Sequence, residues 1–263
     1  MIRVIVVGNG MVGYKFCEKF VAKSGQEKYQ ITVFGEEPRR AYDRVHLSEY
    51  FGGKTADDLS LSTTEWYTEN NIILNTSELI TDINRDVKTI HTHLGKTHTY
   101  DYLVLATGSS AFVPPIEGVE KEGVFVYRTI EDLDAIMGYA KKIKQKGATE
   151  AAVLGGGLLG LEAAKAVRDL GLNPHVVEFA PRLMPRQLDK GASDMLQSKI
   201  EELNIGIHLN KATQYIDGDK AITGMMFEGD DLLKVDMLVI SAGIKPRDEL
   251  GRVSGLEVGV RGG

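Results

Sequence analysis

The sequence predicts an α/β fold class with two Rossmann-like, three-layer units, the first of which carries an inserted antiparallel hairpin. Two observations predict this arrangement. Short apolar strands run into the glycine pattern G-x-G-x-x-G at residues 8–13 and again at residues 155–160. In both places a helical pattern follows the glycines, and a further apolar strand then ends near a carboxylate. Each set of strand, glycine turn, helix and strand forms one parallel βαβ unit.

The first glycine pattern follows a predicted buried strand at residues 4–7. Gly8 permits the tight turn out of the strand, Gly10 lets a pyrophosphate approach the backbone, and Gly13 lets the helix pack closely on the sheet. The helix predicted at residues 14–24 directs free N–H groups and its positive dipole end toward those phosphates. The spacing therefore predicts a dinucleotide site in the first unit.

A carboxylate follows the next predicted strand, residues 31–34. Glu36 lies roughly 20 residues past the last glycine, where a Rossmann unit binds the two hydroxyls of an adenosine ribose. Glu37 is the competing carboxylate, and a solvated acidic loop is the alternative interpretation. The strand that precedes Glu36 favours ribose binding.

The second glycine pattern repeats these features. It is followed by a predicted helix at residues 161–170 and by a strand at residues 175–177 that ends in Glu178. A carboxylate here suits a free 2′-hydroxyl and repels a 2′-phosphate, which favours NADH. Arg182 and Arg186 lie close behind and could bind a phosphate, so NADPH stays open. Two such units indicate two dinucleotides, one of which reduces the other.

Composition excludes several classes of function. The 263 residues carry a formal net charge of −6 with both signs mixed, which gives no support for binding nucleic acid or an anionic membrane. No apolar run approaches the length of a membrane span, and because a predicted strand follows Met1 almost at once, we expect no signal peptide. Cys17 is the only cysteine, so a core position is favoured over a reactive thiol and no disulfide can form within the chain. We therefore expect a cytoplasmic protein.

A hairpin and an irregular connection lie between the two glycine patterns. Residues 39–51 are predicted to be irregular or helical, and residues 87–105 alternate as two strands around Gly95. The hairpin carries three histidines, but no acidic or thiol partner is placed with them, which favours exposed histidines over a metal site. These histidines are His91, His93 and His98.

Domain boundaries follow from a proline pair and a repeated strand. The prolines at residues 114–115 break the chain after a predicted buried strand at residues 102–105. A helix is predicted at residues 129–146, with Thr129 as its N-terminal cap. Residues 235–243 then repeat the pattern of a buried strand followed by a turn of small residues. The predicted domains are residues 1–113 plus 241–263 for the first dinucleotide, and residues 114–240 for the second.

Four stretches, in their order, resemble the FAD/NAD(P)H-dependent pyridine nucleotide oxidoreductases. They are the two glycine patterns, the Ala-Thr-Gly turn at residues 106–108, and Ser-Ala-Gly-Ile-Lys-Pro at residues 241–246. The absent cysteine pair excludes the disulfide reductase branch of this family. Three stretches are most similar to the N-terminal part of NAD(P)H nitrite reductase large subunits: residues 41–51, 106–118 and 176–189.

The resemblance implies FAD at the first site and NADH, or alternatively NADPH, at the second. It assigns no catalytic and no metal-ligating residue, since hydride transfer requires no obvious general acid or base. Glu162 resembles a family glutamate near the flavin–nicotinamide contact whose partner in many relatives is a lysine, but here Glu49 stands at the lysine position. Two carboxylates do not pair as an ammonium and a carboxylate do. The residues implied at the FAD site are Gly8, Gly10, Met11, Gly13, Glu36, Arg44, Leu47, Ala106, Thr107 and Gly108. Those implied at the nicotinamide site are Gly155, Gly157, Leu158, Leu159, Gly160, Glu162 and Glu178, and Gly243 is implied as a cofactor-binding residue of neither site in particular.

The implied activity is electron transfer from NADH through FAD to a metal centre. In full-length relatives it would reduce nitrite to ammonia as part of nitrate assimilation. Sirohaem and an iron–sulfur cluster would lie only in a C-terminal part that this chain lacks, because one cysteine cannot ligate such a cluster. The chain ends before the later Gly-Asp segment that closes the family's FAD site, so the resemblance implies an N-terminal fragment. Its retention of FAD and its activity alone stay open.

Three alternatives stay open. A rubredoxin or ferredoxin reductase and an NADH oxidase share the same cofactors, whereas a nucleotide-binding module without catalysis belongs to another class. The expected partners are NAD(P)H and an electron acceptor, which lies either in the missing C-terminal domains or on a small redox protein. Nucleic-acid and membrane partners are not expected, and an oligomer stays open.

Overall fold

The structure is a computed structural model, which describes residues 1–24 and 28–262. The chain forms two compact units, each assembled from segments that are distant in sequence. The first unit comprises Met1–Val45, Thr55–Ser110 and Lys245–Gly263, and the second unit comprises His46–Lys54 and Ala111–Ile244. The placement of His46–Lys54 with the second unit was not anticipated from the sequence.

Helices separate the strands at the two glycine patterns, whereas the described residues 72–126 and 206–246 hold successive strands without an intervening helix. The strands of the described residues are β1 (Ile2–Val7), β2 (Tyr29–Phe34), β3 (Ile72–Asn75), β4 (Ile80–Asn84), β5 (Thr89–Thr92), β6 (Thr97–Thr99), β7 (Tyr102–Leu105), β8 (Ser109–Ala111), β9 (Val124–Val126), β10 (Glu150–Leu154), β11 (Asn173–Val177), β12 (Gly206–His208), β13 (Thr213–Asp217), β14 (Gly224–Phe227), β15 (Asp231–Lys234), β16 (Met237–Ile240) and β17 (Ile244–Pro246). The helices are α1 (Met11–Ser24), α2 (Thr64–Glu69), α3 (Ile130–Lys144), α4 (Leu158–Asp169), α5 (Lys190–Glu201) and α6 (Glu249–Val253), with a 3-10 helix at Leu47–Gly52.

A four-stranded parallel sheet in the order β3-β2-β1-β7 forms the centre of the first unit. Val4 of β1 pairs in register with Ile31 of β2 on one side and with Tyr102 of β7 on the other. Strand β1 is buried from Val4 to Val7, since it lies inside the sheet and helix α1 packs on one face. Its carboxyl end therefore delivers Gly8 to the edge of the sheet where Rossmann units bind ligands.

Helix α1 has the side-chain environment that its sequence predicts. Phe16 and Phe20 pack against the core of the first unit, and Cys17 is 1% exposed. Burial raises the pKa of the Cys17 thiol to about 12, so the neutral thiol persists at physiological pH. The predicted core position of Cys17 is confirmed.

The second unit is built on a five-stranded parallel sheet in the order β12-β11-β10-β16-β9. A three-stranded antiparallel sheet, β13-β14-β15, completes it. Thr129 caps the start of helix α3: its hydroxyl accepts from the backbone N–H of Asp132, while the Asp132 carboxylate accepts from the Thr129 N–H. This reciprocal capping box satisfies two backbone donors that a helix start leaves free. The predicted α/β fold class and the cap are confirmed.

Several local predictions were wrong. Helices α1 and α4 each begin three residues earlier than predicted, because their first turn starts directly after the middle glycine of the pattern. Tyr102 was predicted to be buried but is 62% exposed, since β7 is an edge strand of its sheet. The predicted hairpin exists as β5 and β6, and strand β4 pairs with β5 to extend it to three strands.

The three hairpin histidines contact neighbouring protein groups through hydrogen bonds or ring packing. The N–H of Leu79 donates to Nδ1 of His93 over 3.1 Å, and Nδ1 of His91 lies 2.9 Å from the hydroxyl of Thr97. The His98 ring packs against the Phe34 ring with the two planes inclined at 60° and the ring centroids 4.9 Å apart. Among the described residues, no group of three or more His, Cys, Asp or Glu side chains is arranged to hold a metal ion.

Within residues 1–24 and 28–262, none of the helices combines the length and the apolar character that crossing a bilayer requires.

Candidate functional site

The first glycine loop, residues 8–13, connects β1 to α1. A Cβ atom on Gly8 would overlap the carbonyl oxygen of Ala106, and the φ angle of Gly8 is +115°, a region that other residues rarely adopt. A Cβ atom on Gly13 would overlap the carbonyl oxygen of Gly8. A Cβ atom on Gly10, in contrast, would meet nothing within 4 Å. The outer glycines are therefore required by packing, whereas the middle glycine faces open space.

The second glycine loop, residues 155–160, has the same construction between β10 and α4. A Cβ atom on Gly155, whose φ angle is +124°, would overlap the carbonyl oxygen of Ser241. A Cβ atom on Gly160 would overlap the carbonyl oxygen of Gly155, and one on Gly157 would meet nothing within 4 Å. In each loop the middle glycine thus borders open space beside a helix start, where a pyrophosphate can approach the backbone closely.

The helix starts beside these loops are suited to an anion. Neither α1 nor α4 has an acidic residue in its first turn, and Gly157 at the start of α4 has no side chain to cap the helix. The first backbone N–H groups of a helix lack intrahelical partners, and the helix dipole favours negative charge there. Met11 begins α1 and is partly buried, while Leu158 and Leu159 begin α4 and are exposed.

The carboxylate of Glu178, directly after β11, accepts two hydrogen bonds from nearby backbone N–H groups. Its Oε2 accepts from the N–H of Gly156 over 2.6 Å, and its Oε1 accepts from the N–H of Ala180 over 2.7 Å. Gly156 belongs to the second glycine loop, so the loop and the carboxylate are fixed together. Each carboxylate oxygen keeps a further lone pair that can accept a hydroxyl.

Glu36 has a different partner, Arg247. Both guanidinium nitrogens of Arg247 face the carboxylate: Nη1 is paired with Oε1, and Nη2 donates to Oε2 over 2.7 Å. The arginine holds the pKa of Glu36 below its usual range, and the carboxylate raises the pKa of Arg247. The competing carboxylate, Glu37, accepts from the Tyr42 hydroxyl over 2.7 Å and pairs with Arg44.

Sequence reasoning missed Arg247. Its N–H donates to the carbonyl oxygen of Gly108 over 3.0 Å, and its carbonyl oxygen accepts from the Thr107 hydroxyl over 2.6 Å. These two bonds tie the segment that follows β17 to the Ala-Thr-Gly turn that follows β7. The available signal was the Lys-Pro-Arg sequence directly after the second small-residue turn, but nothing in it identified Glu36 as the partner.

The 3-10 helix Leu47–Gly52 lies within the second unit. Leu47 is 4% exposed, and Glu49, at the position where the resemblance implies a lysine, forms an ion pair with Lys54. Burial raises the pKa of Glu162 on α4, and the nearby His46 opposes that shift. Protonation of Glu162 is thus easier than that of an exposed glutamate.

The remaining predicted residues lie in loops. Gly243 is exposed with a φ angle of +125°, and its carbonyl oxygen accepts from the N–H of Phe112 over 2.9 Å. Arg182 donates to the carbonyl oxygen of Pro185 over 3.2 Å, whereas Arg186 is exposed. This bond occupies one of the five guanidinium donors of Arg182, so both arginines still have donors for a 2′-phosphate.

Known proteins are similar to this chain in sequence and in fold. A family model described as pyridine nucleotide-disulphide oxidoreductase matches residues 2–263. The sequence is 48% identical to the nitrite reductase [NAD(P)H] large subunit of Klebsiella oxytoca over 98% of this chain and 26% of that protein. It is 47% identical to the nitrite reductase (NADH) large subunit of Escherichia coli strain K12 over 100% of this chain and 31% of that protein. The structure matches the NAD-dependent persulfide reductase from A. fulgidus with a TM-score of 0.90 and 28% identity, covering 98% of this chain and 49% of that chain.

These matches confirm the resemblance that the glycine patterns and small-residue turns indicated. The chain spans 26% and 31% of the length of the two curated relatives named above. It therefore corresponds to one portion of those proteins, and the activity of a whole relative does not transfer to it directly.

Proposed function

The chain belongs to the pyridine nucleotide-disulphide oxidoreductase family, and from this membership we propose that it takes electrons from NADH and passes them through FAD. FAD binds the first unit and NADH binds the second unit in this proposal. The domains proposed from the sequence, residues 1–113 plus 241–263 and residues 114–240, serve these two cofactors. When bound, FAD supplies the redox chemistry by accepting a hydride from NADH and releasing electrons singly.

The observation that carries this proposal is the shared construction of the two glycine loops. In each loop the outer glycines are packed against carbonyl oxygens, and the middle glycine borders open space at a helix start. A middle glycine that packing does not require is explained by a ligand that approaches the backbone. Two such loops in one chain support two dinucleotides rather than one.

At the first site, the backbone around Gly10 and Met11 would bind the FAD pyrophosphate, and Glu36 would bind the adenosine ribose. Thr107 is held by the backbone of Arg247 and, with Ala106 and Gly108, would border the dinucleotide. Arg44, which pairs with Glu37, and Leu47 stay as proposed flavin neighbours on the basis of the resemblance alone.

At the second site, the backbone of Gly157 and the first turn of α4 would bind the NADH pyrophosphate. Glu178 would bind the ribose through the lone pairs that its two backbone contacts leave free. Its negative charge would repel the 2′-phosphate of NADPH, which favours NADH. Glu162 completes the proposed site, and Gly243 is proposed as a cofactor-binding residue on the basis of the resemblance.

We propose that the electrons finally serve the reduction of nitrite to ammonia. The two curated relatives are named as nitrite reductase large subunits. Sirohaem and an iron–sulfur cluster would be bound outside these residues, because the chain has one cysteine and that thiol is buried. A cytoplasmic location, where thiols stay reduced, is proposed with it.

An absorption spectrum of the purified chain tests this proposal. After incubation with FAD and gel filtration, the protein should retain the yellow flavin colour, and NADH added without oxygen should bleach it faster than NADPH does. A colourless chain that binds neither cofactor would contradict the electron-transfer function. Mixing the NADH-reduced protein with oxygen or with rubredoxin then distinguishes the oxidase and rubredoxin reductase alternatives.

Two matched variants assign the sites. Gly157→Ala should retain the flavin colour and lose its bleaching by NADH, because the added methyl group obstructs only the second site. Gly10→Ala should lose the colour. The reverse pattern would exchange the two cofactor assignments.

A further inference from the structure

Arg247 joins two parts of the first unit that are 211 residues apart in sequence. Its guanidinium group faces both carboxylate oxygens of Glu36, and its backbone is hydrogen-bonded to Thr107 and Gly108. The arginine is therefore anchored at its backbone by the Ala-Thr-Gly turn and reaches across to the carboxylate with its side chain. A planar guanidinium fixes a carboxylate more tightly than a lysine would, since it donates two parallel hydrogen bonds.

We propose that Arg247 is a positioning residue for the adenosine ribose of the flavin dinucleotide, a role that rests on the assignment of FAD to the first unit. An ionised carboxylate has about four lone-pair sites, of which the guanidinium fork uses one on each oxygen. The remaining site on each oxygen is free to accept one ribose hydroxyl. Glu36 can thus hold Arg247 and the ribose at the same time.

Holding Glu36 lowers the entropic cost of binding. Glu36 lies beyond the end of β2 and its side chain is 40% exposed, so without a partner it would occupy several rotamers. A carboxylate that is already oriented loses less conformational freedom when the ribose arrives. The positive guanidinium also offsets repulsion between this carboxylate and the pyrophosphate of the same ligand.

The second unit supports this interpretation by contrast. There the backbone N–H groups of Gly156 and Ala180 each donate to one oxygen of Glu178. Arg247 supplies the equivalent pair of donors to Glu36, one to each oxygen. The same requirement, a carboxylate with two fixed oxygens, is met by backbone in one unit and by a distant side chain in the other.

Binding of two ligands to the purified chain, freed of flavin, tests the role of Arg247. The ligands are FAD and an FAD analogue that carries 2′-deoxyadenosine, both followed by flavin fluorescence. The unaltered chain should prefer FAD. R247Q should bind FAD about tenfold more weakly, equivalent to about 1.4 kcal/mol, and should lose most of its preference over the analogue. R247K should be intermediate, and E36Q should lose the same preference.

The matched control is R252Q, which removes another arginine of the first unit from its ion pair with Asp248 and should bind both ligands as the unaltered chain does. Equal weakening of both ligands by R247Q would overturn the proposal, because the arginine would then only stabilise the turn. Unchanged FAD affinity in R247Q would overturn it, and so would tighter binding, which would mean that the ion pair competes with the ribose. If the unaltered chain binds neither flavin ligand, the assignment of FAD to the first unit fails, and the role of Arg247 fails with it.

Discussion

The two glycine loops are built alike, whereas the carboxylates that follow them are held in different ways. In each loop the last glycine lies against the carbonyl oxygen of the first, and the first lies against a carbonyl oxygen after a neighbouring strand. Glu178 receives its donors from the adjoining backbone, but Glu36 receives them from Arg247 near the other end of the chain. The packing between strand and helix is the same wherever the glycine pattern occurs. The partner of the following carboxylate differs between the two units, because it is not part of that pattern.

The largest expected effect concerns the outer glycines. Gly13→Ala in the first unit and Gly160→Ala in the second should each lower the free energy of unfolding by about 3 kcal/mol, because the new methyl group meets a backbone carbonyl that cannot move aside. Urea denaturation followed by circular dichroism measures this loss. A variant as stable as the unaltered chain would show that the loop can relax.

The middle glycines supply the control for that experiment. Gly10→Ala and Gly157→Ala place a methyl group in open space, so the free energy of unfolding should change by no more than about 0.5 kcal/mol. The comparison separates glycines that the fold requires from glycines that the proposed ligands require. A large loss of stability in Gly10→Ala or Gly157→Ala would remove that distinction.

A smaller effect is expected from the two carboxylates. Glu178→Ala leaves the N–H of buried Gly156 without its acceptor, which should cost about 1–3 kcal/mol of unfolding free energy. Glu36→Ala should cost less than about 1 kcal/mol, because the partly exposed Arg247 can be hydrated instead. Thermal unfolding of both variants measures the difference, and equal losses would contradict the contrast between backbone and side-chain anchoring.

Glu178→Ala also has an expected effect on binding. The dissociation constant for NADH should rise more than that for NADPH, because the variant loses a ribose acceptor and at the same time loses a charge that repels the 2′-phosphate. Isothermal titration with each nucleotide checks this. If both nucleotides weaken equally, Glu178 does not discriminate between them.

The smallest effect is the pH dependence of the Glu36–Arg247 pair. Because Arg247 lowers the pKa of folded Glu36, the pair stabilises the fold above the unfolded pKa of about 4.3, and this contribution is lost as pH falls through the folded pKa. The stability difference between the unaltered chain and E36Q should be constant from about pH 6 to pH 8 and should disappear toward about pH 3.

The double variant E36Q/R247Q is the control for that pH profile. Relative to E36Q, it should show no further dependence on acid pH, since the carboxylate that titrates is already absent. A difference between the unaltered chain and E36Q that grows at low pH would have the wrong sign for a stabilising ion pair.

Much of the fold could be predicted because its signals are local. The burial of β1, the turn at Gly8 and the cap at Thr129 depend on residues within a few positions of one another. The helix starts were placed too late, since the pattern glycines themselves take part in the first turn. The exposure of Tyr102 could not be predicted from its own strand, because it depends on that strand's place at the sheet edge.

The sequence by itself determined the α/β class, the two glycine loops and the family, because fixed spacings of glycine, strand and carboxylate encode them. Only the tertiary structure decided which group holds each carboxylate. Glu36 meets Arg247 after the chain has passed through the entire second unit and returned to the first. Contacts between residues so far apart depend on how the sheets place their ends, and a local pattern carries no information about that.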